Sequence, residues 1–153
     1  MGNHRSITDQ SPPGVVVRDA VMGDAVDIVW KLSRRKIDDF KRFYDDLGGG
    51  IRELMTNSIE CLCITYEGRP AALFGIYDST GLMWTAVTRI TEENPIKCIK
   101  TSRLILDDFN QRYPILTSSI PDDDPVWKRW IELIGCQVFH EREGRISFMK
   151  VAD

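Results

Sequence analysis

No apolar run in the 153 residues approaches the ~20 consecutive positions that a membrane-spanning helix needs. Metal ligands are scarce as well. There are two histidines and four cysteines, and no pair of cysteines is spaced as CxxC, so no zinc site or other metal is expected. Cys61, Cys63, Cys98 and Cys136 read as packed, reduced thiols, with Cys61 and Cys63 on one face of a strand. An excess of positive charge is also missing. Twenty Lys and Arg against 23 Asp and Glu give a net charge of -3, so no global basic field recruits nucleic acid. Two local clusters, Lys31, Arg34, Arg35, Lys36 and Lys97, Lys100, Arg103, read as solvated helix faces. The opening "MGNHRSITDQSPP" lacks the apolar centre of a signal peptide and ends in a proline pair. Residues 1–13 therefore read as a flexible arm, residues 14–153 as a single domain, and the cytoplasm as the compartment.

Hydrophobic residues make up 42% and charged residues 28%, enough apolar matter for a core without staples. "GVVVRDA" is short and β-branched, which predicts a strand. A helix follows with Ala25, Ile28, Val29 and Leu32 on one face and Asp24 as its N-cap. A second helical run carries Phe40, Phe43, Tyr44 and Leu47 and is expected to stop at Gly48-Gly49-Gly50, with a short helix through Ile51, Leu54 and Met55 beyond. "ECLCITYEG", "AALFGIYDS" and "GLMWTAVT" predict three strands joined by glycine-bearing turns, hence antiparallel hairpins. A long helix is predicted from Pro95 to Tyr113, capped by Asn94, then a strand in "PILTSSI". "DDDPVWKRWIELIG" predicts a helix with Trp127, Trp130, Ile131 and Ile134 as its stripe and Gly135 as its stop. "CQVFHE" and "RISFMKV" close the chain as two strands around a turn at Arg142-Glu143-Gly144. The order β α α β β β α β α β β implies an α+β, mixed α/β domain.

That order resembles the GNAT family of N-acetyltransferases over roughly residues 14–151. "VVVRDAVMGDAVDIVWKL" is similar to the family's opening strand and helix, "TYEGRPAALFGIYDS" to its hairpin, and "DPVWKRWIELIGCQVFHE" to its late helix, glycine and strand. The resemblance implies a central mixed, mostly antiparallel sheet with helices on both faces, and acetyl-CoA as cofactor. A narrower likeness lies in "WKRWIELIGCQVFHEREGRISFMKV", which resembles the small GNAT-like internal virion protein A family of T7-type tailed phages. This implies protein partners from phage or host, and a place in the host cytoplasm or the virion.

In the family, glycines of a strand-to-helix loop let backbone N–H groups approach the cofactor's pyrophosphate. The corresponding segment "TRITEENPIKCIKT" has no glycine, Pro95 removes a donor, and Glu92 and Glu93 repel phosphate. The resemblance places the pantetheine arm on the main chain of residues 85–88, including Thr85, Val87 and Thr88, and the phosphates at Lys97, Lys100 and Thr101. No catalytic residue is assigned. The family's glutamate base has no counterpart in "GLMWTAVT", and Ile131 stands where its tyrosine acid would. Two functions stay open: acyl-CoA-dependent N-acyl transfer with a degenerate pyrophosphate loop, or a non-catalytic role in virion morphogenesis or genome delivery. An enzyme should keep a V-shaped split open between "MWTAVT" and "PILTSSI"; a scaffold would fill it, with Trp84 as the candidate plug.

His140 reads as a surface or half-buried strand histidine, and Trp84, Trp127 and Trp130 as core. Ser118 and Ser119 end a strand where they could face the cleft, without a Ser-His-Asp order. The carboxylates of "PDDDP" read as helix capping, by Asp124, and dipole complementarity.

Overall fold

The computed structural model describes residues 5–123 and 125–153, and only the main chain of Arg5. The expected capping by Asp124 therefore lies outside the described residues. The described residues begin with a helix, α1 (Arg5–Gln10), followed by β1 (Val15–Asp19). Ile7 is buried in the core, and Thr8 bonds both the N–H and the carbonyl of Val17 at 2.9 and 3.2 Å. One buried isoleucine and one doubly bonded threonine tie residues 5–10 to the sheet.

Three helices come next: α2 (Asp24–Lys31), α3 (Arg34–Phe40) and α4 (Leu47–Asn57). Asp24 is not the N-cap of α2 but its first residue. It clamps Arg18 through two bonds of 2.8 Å and accepts the Val21 N–H. The glycine triplet does not stop a helix; it lies in the first turn of α4. Asp46 caps that turn by accepting the Gly48 N–H at 3.1 Å.

β2 (Glu60–Tyr66), β3 (Arg69–Ile76) and β4 (Met83–Val87) then form antiparallel hairpins, and β1 pairs with β2. Glu67 and Gly68 both take positive φ, the geometry of the primed hairpin turns, and Glu143 and Gly144 repeat it. The long helix predicted from Pro95 is α6 (Pro95–Asn110), and a short helix that the sequence did not announce, α5 (Arg89–Glu93), precedes it. Pro95 cannot donate to the preceding turn, so the ladder restarts there. Asn94 sits at the junction but its amide turns back to the Ile90 carbonyl instead of capping α6. β5 (Ile115–Pro121), α7 (Pro125–Leu133), β6 (Gln137–Arg142) and β7 (Arg145–Val151) complete the chain.

The strands form two antiparallel sheets, ordered β1-β2-β3-β4 and β5-β7-β6. The fold class is the expected α+β single domain with helices on both faces. Period-two alternation sorts the core into two layers. Leu62, Ile64, Phe74, Ile76, Met83 and Val87 face α1, α6 and α7, while Cys63, Leu73, Trp84 and Ala86 face α2, α3 and α4. Between β4 and β5 the sheets are joined by one isolated parallel bridge among the described residues, Leu82 with Thr117, at the start of β4. Beyond it the two strands belong to different sheets.

Candidate functional site

The seam between β4 and β5 is the expected split, and it is filled. The filler is not Trp84. That indole lies on the α2–α4 face over Gly75, where a Cβ would come within 2.2 Å of its Nε1, and it donates to the Ser58 hydroxyl at 2.7 Å. The filler is Lys36 of α3. Only 6% exposed, it donates to the Thr85 hydroxyl on β4 at 3.3 Å. Its ammonium lies 4.4 Å from the Trp127 ring centre on α7 and 5.2 Å from that of Phe40. Burial pulls its pKa down from 10.5 to about 8; Asp39 pushes it up and Arg145 down again.

A second obstruction comes from the main chain. Thr88 N–H points to Ala71 of β3, so alternation turns the Val87 carbonyl toward the split. The Ser33 N–H already donates to that carbonyl at 3.1 Å, and Leu32 bridges Thr88. The connection between α2 and α3 thus lies along the edge of β4 where an extended arm would pair. Ser33 is buried and caps α3 by accepting the Lys36 N–H at 3.3 Å, which fixes both obstructions together.

Two cavities flank the seam. One, of about 410 Å³, is apolar and lined by Val87, Pro95, Ile99, Trp127, Trp130 and Leu133. The other, of about 390 Å³, borders Lys36, Thr85, Ser118, Ser119, Tyr77 and Arg145. Arg145 of β7 is held there by Asp39 of α3 at 2.6 Å, and it also donates to the Ser119 hydroxyl at 3.1 Å and the Ser119 carbonyl at 3.2 Å. The two serines line this cavity from the middle of β5, not from its end. Trp127 and Trp130 belong to the core and also wall the apolar cavity.

The six residues assigned to a cofactor do not converge. Thr85 receives Lys36, and Val87 lines the apolar cavity with its carbonyl engaged. Thr88 is buried and caps α5 by accepting the Ile90 N–H, while its hydroxyl donates to the Ala71 carbonyl. Lys97 donates to the Tyr66 hydroxyl at 2.9 Å, on a cavity distinct from the apolar one. Lys100 is exposed, and Thr101 is buried and back-bonded to the Lys97 carbonyl. The segment expected to hold pyrophosphate is helical α5, whose Glu92 faces Arg35 at 3.7 Å across the mouth of the apolar cavity. A flexible apolar arm fits that cavity. Where the resemblance placed a pyrophosphate, α5 offers no glycine and presents carboxylates.

Other nucleophiles are muted. Burial pushes the thiols of Cys61, Cys63 and Cys136 up to about 12 and that of Cys98 to about 11, far from the thiolate form at neutral pH. His140 is exposed on β6. Among the described residues no group of His, Cys, Asp or Glu could hold a metal ion, and no helix is long and apolar enough to cross a membrane. Sequence reasoning missed Lys36, Ser33, Asp39 and Arg145. The available signal was the spacing of Lys36, four positions from both Leu32 and Phe40.

Two sheets parting beyond one parallel bridge, with helices on both faces, define the GNAT acetyltransferase fold. Solved structures of acetyltransferases share it. The ribosomal-protein-S5-alanine acetyltransferase from Vibrio fischeri aligns with TM-score 0.70 and 11% identity, over 94% of this chain and 96% of that one. RimL, the ribosomal L7/L12 alpha-N-protein acetyltransferase solved with coenzyme A, gives 0.69 and 9% over 93% and 96%. The microcin C7 self-immunity acetyltransferase MccE, solved with acetyl-CoA and AMP, gives 0.63 and 11% over 96% and 99%. Likeness at such identities establishes the fold alone. No family model matches the chain, and no curated protein matches it in sequence.

Proposed function

We propose that this chain keeps the GNAT fold but has closed its transfer site from within, and that it acts through protein contacts in the morphogenesis or genome delivery of a tailed phage. The host cytoplasm or the virion is then its place, and phage or host proteins are its partners. The observation that carries the reading is Lys36. It fills the seam where a transferase would bring acyl group and amine together, and it bonds Thr85 at 3.3 Å. The carboxylates of α5 and the Ser33 bond to Val87 support the same reading. The phage setting rests on the resemblance read in the sequence of residues 127–151 alone. The degenerate loop of the sequence reading becomes, in this proposal, a helix that never receives phosphate.

A second reading is favoured by the apolar cavity of about 410 Å³ beside Val87. It lies where an acyl-pantetheine arm would approach the seam, and on that reading the chain is an acyl-CoA-dependent N-acyltransferase. Calorimetry with acetyl-CoA separates the two, using Leu133→Glu in the cavity wall as control. The first reading expects no heat at millimolar ligand. Micromolar binding that the Leu133→Glu variant loses would overturn it.

A further inference from the structure

Lys36 does more than obstruct. Among the described residues its ammonium meets no carboxylate within ion-pair distance, because the Asp39 carboxylate is taken by Arg145 at 2.6 Å. Its hydrogen bond goes to a hydroxyl, and its charge rests on two aromatic faces. A lysine so placed gives up little electrostatic stabilisation when it becomes neutral, whereas an ion-paired lysine gives up much. One side of it opens onto the cavity of about 390 Å³ that also holds the Arg145 guanidinium and the Ser118, Ser119 and Thr85 hydroxyls. The Arg145 guanidinium, the Lys36 amine and the hydroxyls of Thr85, Ser118, Ser119, Tyr44 and Tyr77, against the single carboxylate of Asp39, offer hydrogen bonds to a small anion with several acceptor oxygens. The other cavity, walled by Pro95, Ile99 and Leu133, keeps its charged residues Arg35, Glu92 and Arg129 away from Lys36, which does not line it.

We propose that Lys36 is a self-acylation site whose donor is a small acyl phosphate entering through the Arg145–Ser118–Ser119 cavity. The neutral Nζ attacks the carbonyl carbon. The C–N bond forms, the C–O bond to phosphate breaks, and the phosphate leaves with the electron pair. The proton shed by the new amide nitrogen passes to the released phosphate. The product is a neutral acyl-lysine buried against Trp127 and Phe40. The neutral amine is available because burial brings the Lys36 pKa down to about 8, with Asp39 of α3 acting against the shift and Arg145 of β7 with it. Thr85 of β4, Phe40 of α3 and Trp127 of α7 are also in contact with it and carry no charge at this pH.

The inference shares the seam with the function proposed above but fails separately, since it concerns a covalent mark and not cofactor binding. The test is incubation of the full chain with acetyl phosphate, followed by peptide mapping by mass spectrometry. Exposed Lys41, Lys100 and Lys128 serve as internal references. Lys36 should be acetylated about tenfold faster than these, with a rate that climbs through pH 8. Ser118→Phe, which narrows the cavity, should bring Lys36 down to the reference rate and leave the references unchanged. Labelling of Lys36 no faster than Lys41, or unaffected by Ser118→Phe, overturns the proposal. Labelling from acetyl-CoA but not from acetyl phosphate overturns the donor class and supports the transferase reading instead.

Discussion

A buried ammonium is costly to the fold that holds it. For Lys36 a pKa of about 8, against 10.5 for an exposed lysine, corresponds to roughly 3 kcal/mol at pH 7. The rings of Trp127 and Phe40 return part of that through cation–π attraction, on the order of 1 kcal/mol. Lys36→Met, which keeps the stem and drops the charge, should therefore stabilise the protein by about 1–2 kcal/mol in urea unfolding at pH 7. The sign of the pH dependence is fixed. Below pH 8 both folded and unfolded chains carry the proton and the penalty is complete. Between pH 8 and 10.5 the unfolded lysine still holds its proton after the folded one has released it, so the wild type gains stability as pH rises. The advantage of Lys36→Met should accordingly shrink by pH 10. An advantage that stayed constant from pH 7 to 10 would mean that Lys36 is not titrating in the fold. None of this was legible residue by residue. Lys31, Arg34, Arg35 and Lys36 form a basic run, and a run of charge reads as solvent-facing. Only the position of α3 against β4 turns one of the four inward.

At the scale of elements, what was legible was what local geometry alone decides. The apolar runs "ECLCITY" and "AALFGI", the turn glycines at 68 and 144, and Gly135 with its φ of +86° each depend on a few adjacent residues, and all are where expected. The failures share a cause of the opposite kind. Helix α1 is six residues long with a single apolar anchor, Ile7, and owes its order to the sheet beneath it. Helix α5, five residues long with Ile90 as its buried side chain, lies in a segment that the resemblance made a loop. The glycine triplet of α4 is the sharpest case. A Cβ on Gly50 would lie 2.5 Å from the Tyr44 ring, so the helix accepts glycine there to let the aromatic lie against it. Gly48 has no such neighbour, its Cβ meeting only Asp46 at 3.6 Å. The two positions should respond in opposite directions. Gly48→Ala should stabilise by up to about 1 kcal/mol through helix propensity. Gly50→Ala should destabilise by about 1–3 kcal/mol through overpacking, and Tyr44→Ala in the same chain should recover part of the loss. Equal effects at both positions, read from thermal or urea unfolding, would mean that Tyr44 does not set the path of α4.

For the molecule as a whole, the decisive joint is where the two sheets meet. Their described link is the Leu82–Thr117 bridge and the Thr117 N–H donating to the Gly81 carbonyl at 3.0 Å. Gly81 holds φ +87°, and a Cβ on it would stand 2.0 Å from the Ile115 carbonyl oxygen, a main-chain atom that no rotamer change can move. The close approach of β5 to the end of β4 thus requires glycine twice, for conformation and for space. Gly144 supplies the comparison, since it has φ +78° with nothing within 4 Å of its Cβ position. Gly144→Ala should lose only the conformational part, about 1 kcal/mol. Gly81→Ala should lose on the order of 3 kcal/mol or more, because the strands must separate to admit the methyl group. The excess should be localised: amide exchange at Thr117, on the far side of the joint, should quicken in Gly81→Ala and stay slow in Gly144→Ala. Because β5 carries Ser118 and Ser119, loosening it would also widen the cavity beside Lys36, and acetyl phosphate labelling of that lysine should rise in the same variant. If the two alanine variants lost equal stability and left Thr117 equally protected, the sheets would be held together elsewhere, and the seam around Lys36 would owe its width to the helices and not to this joint.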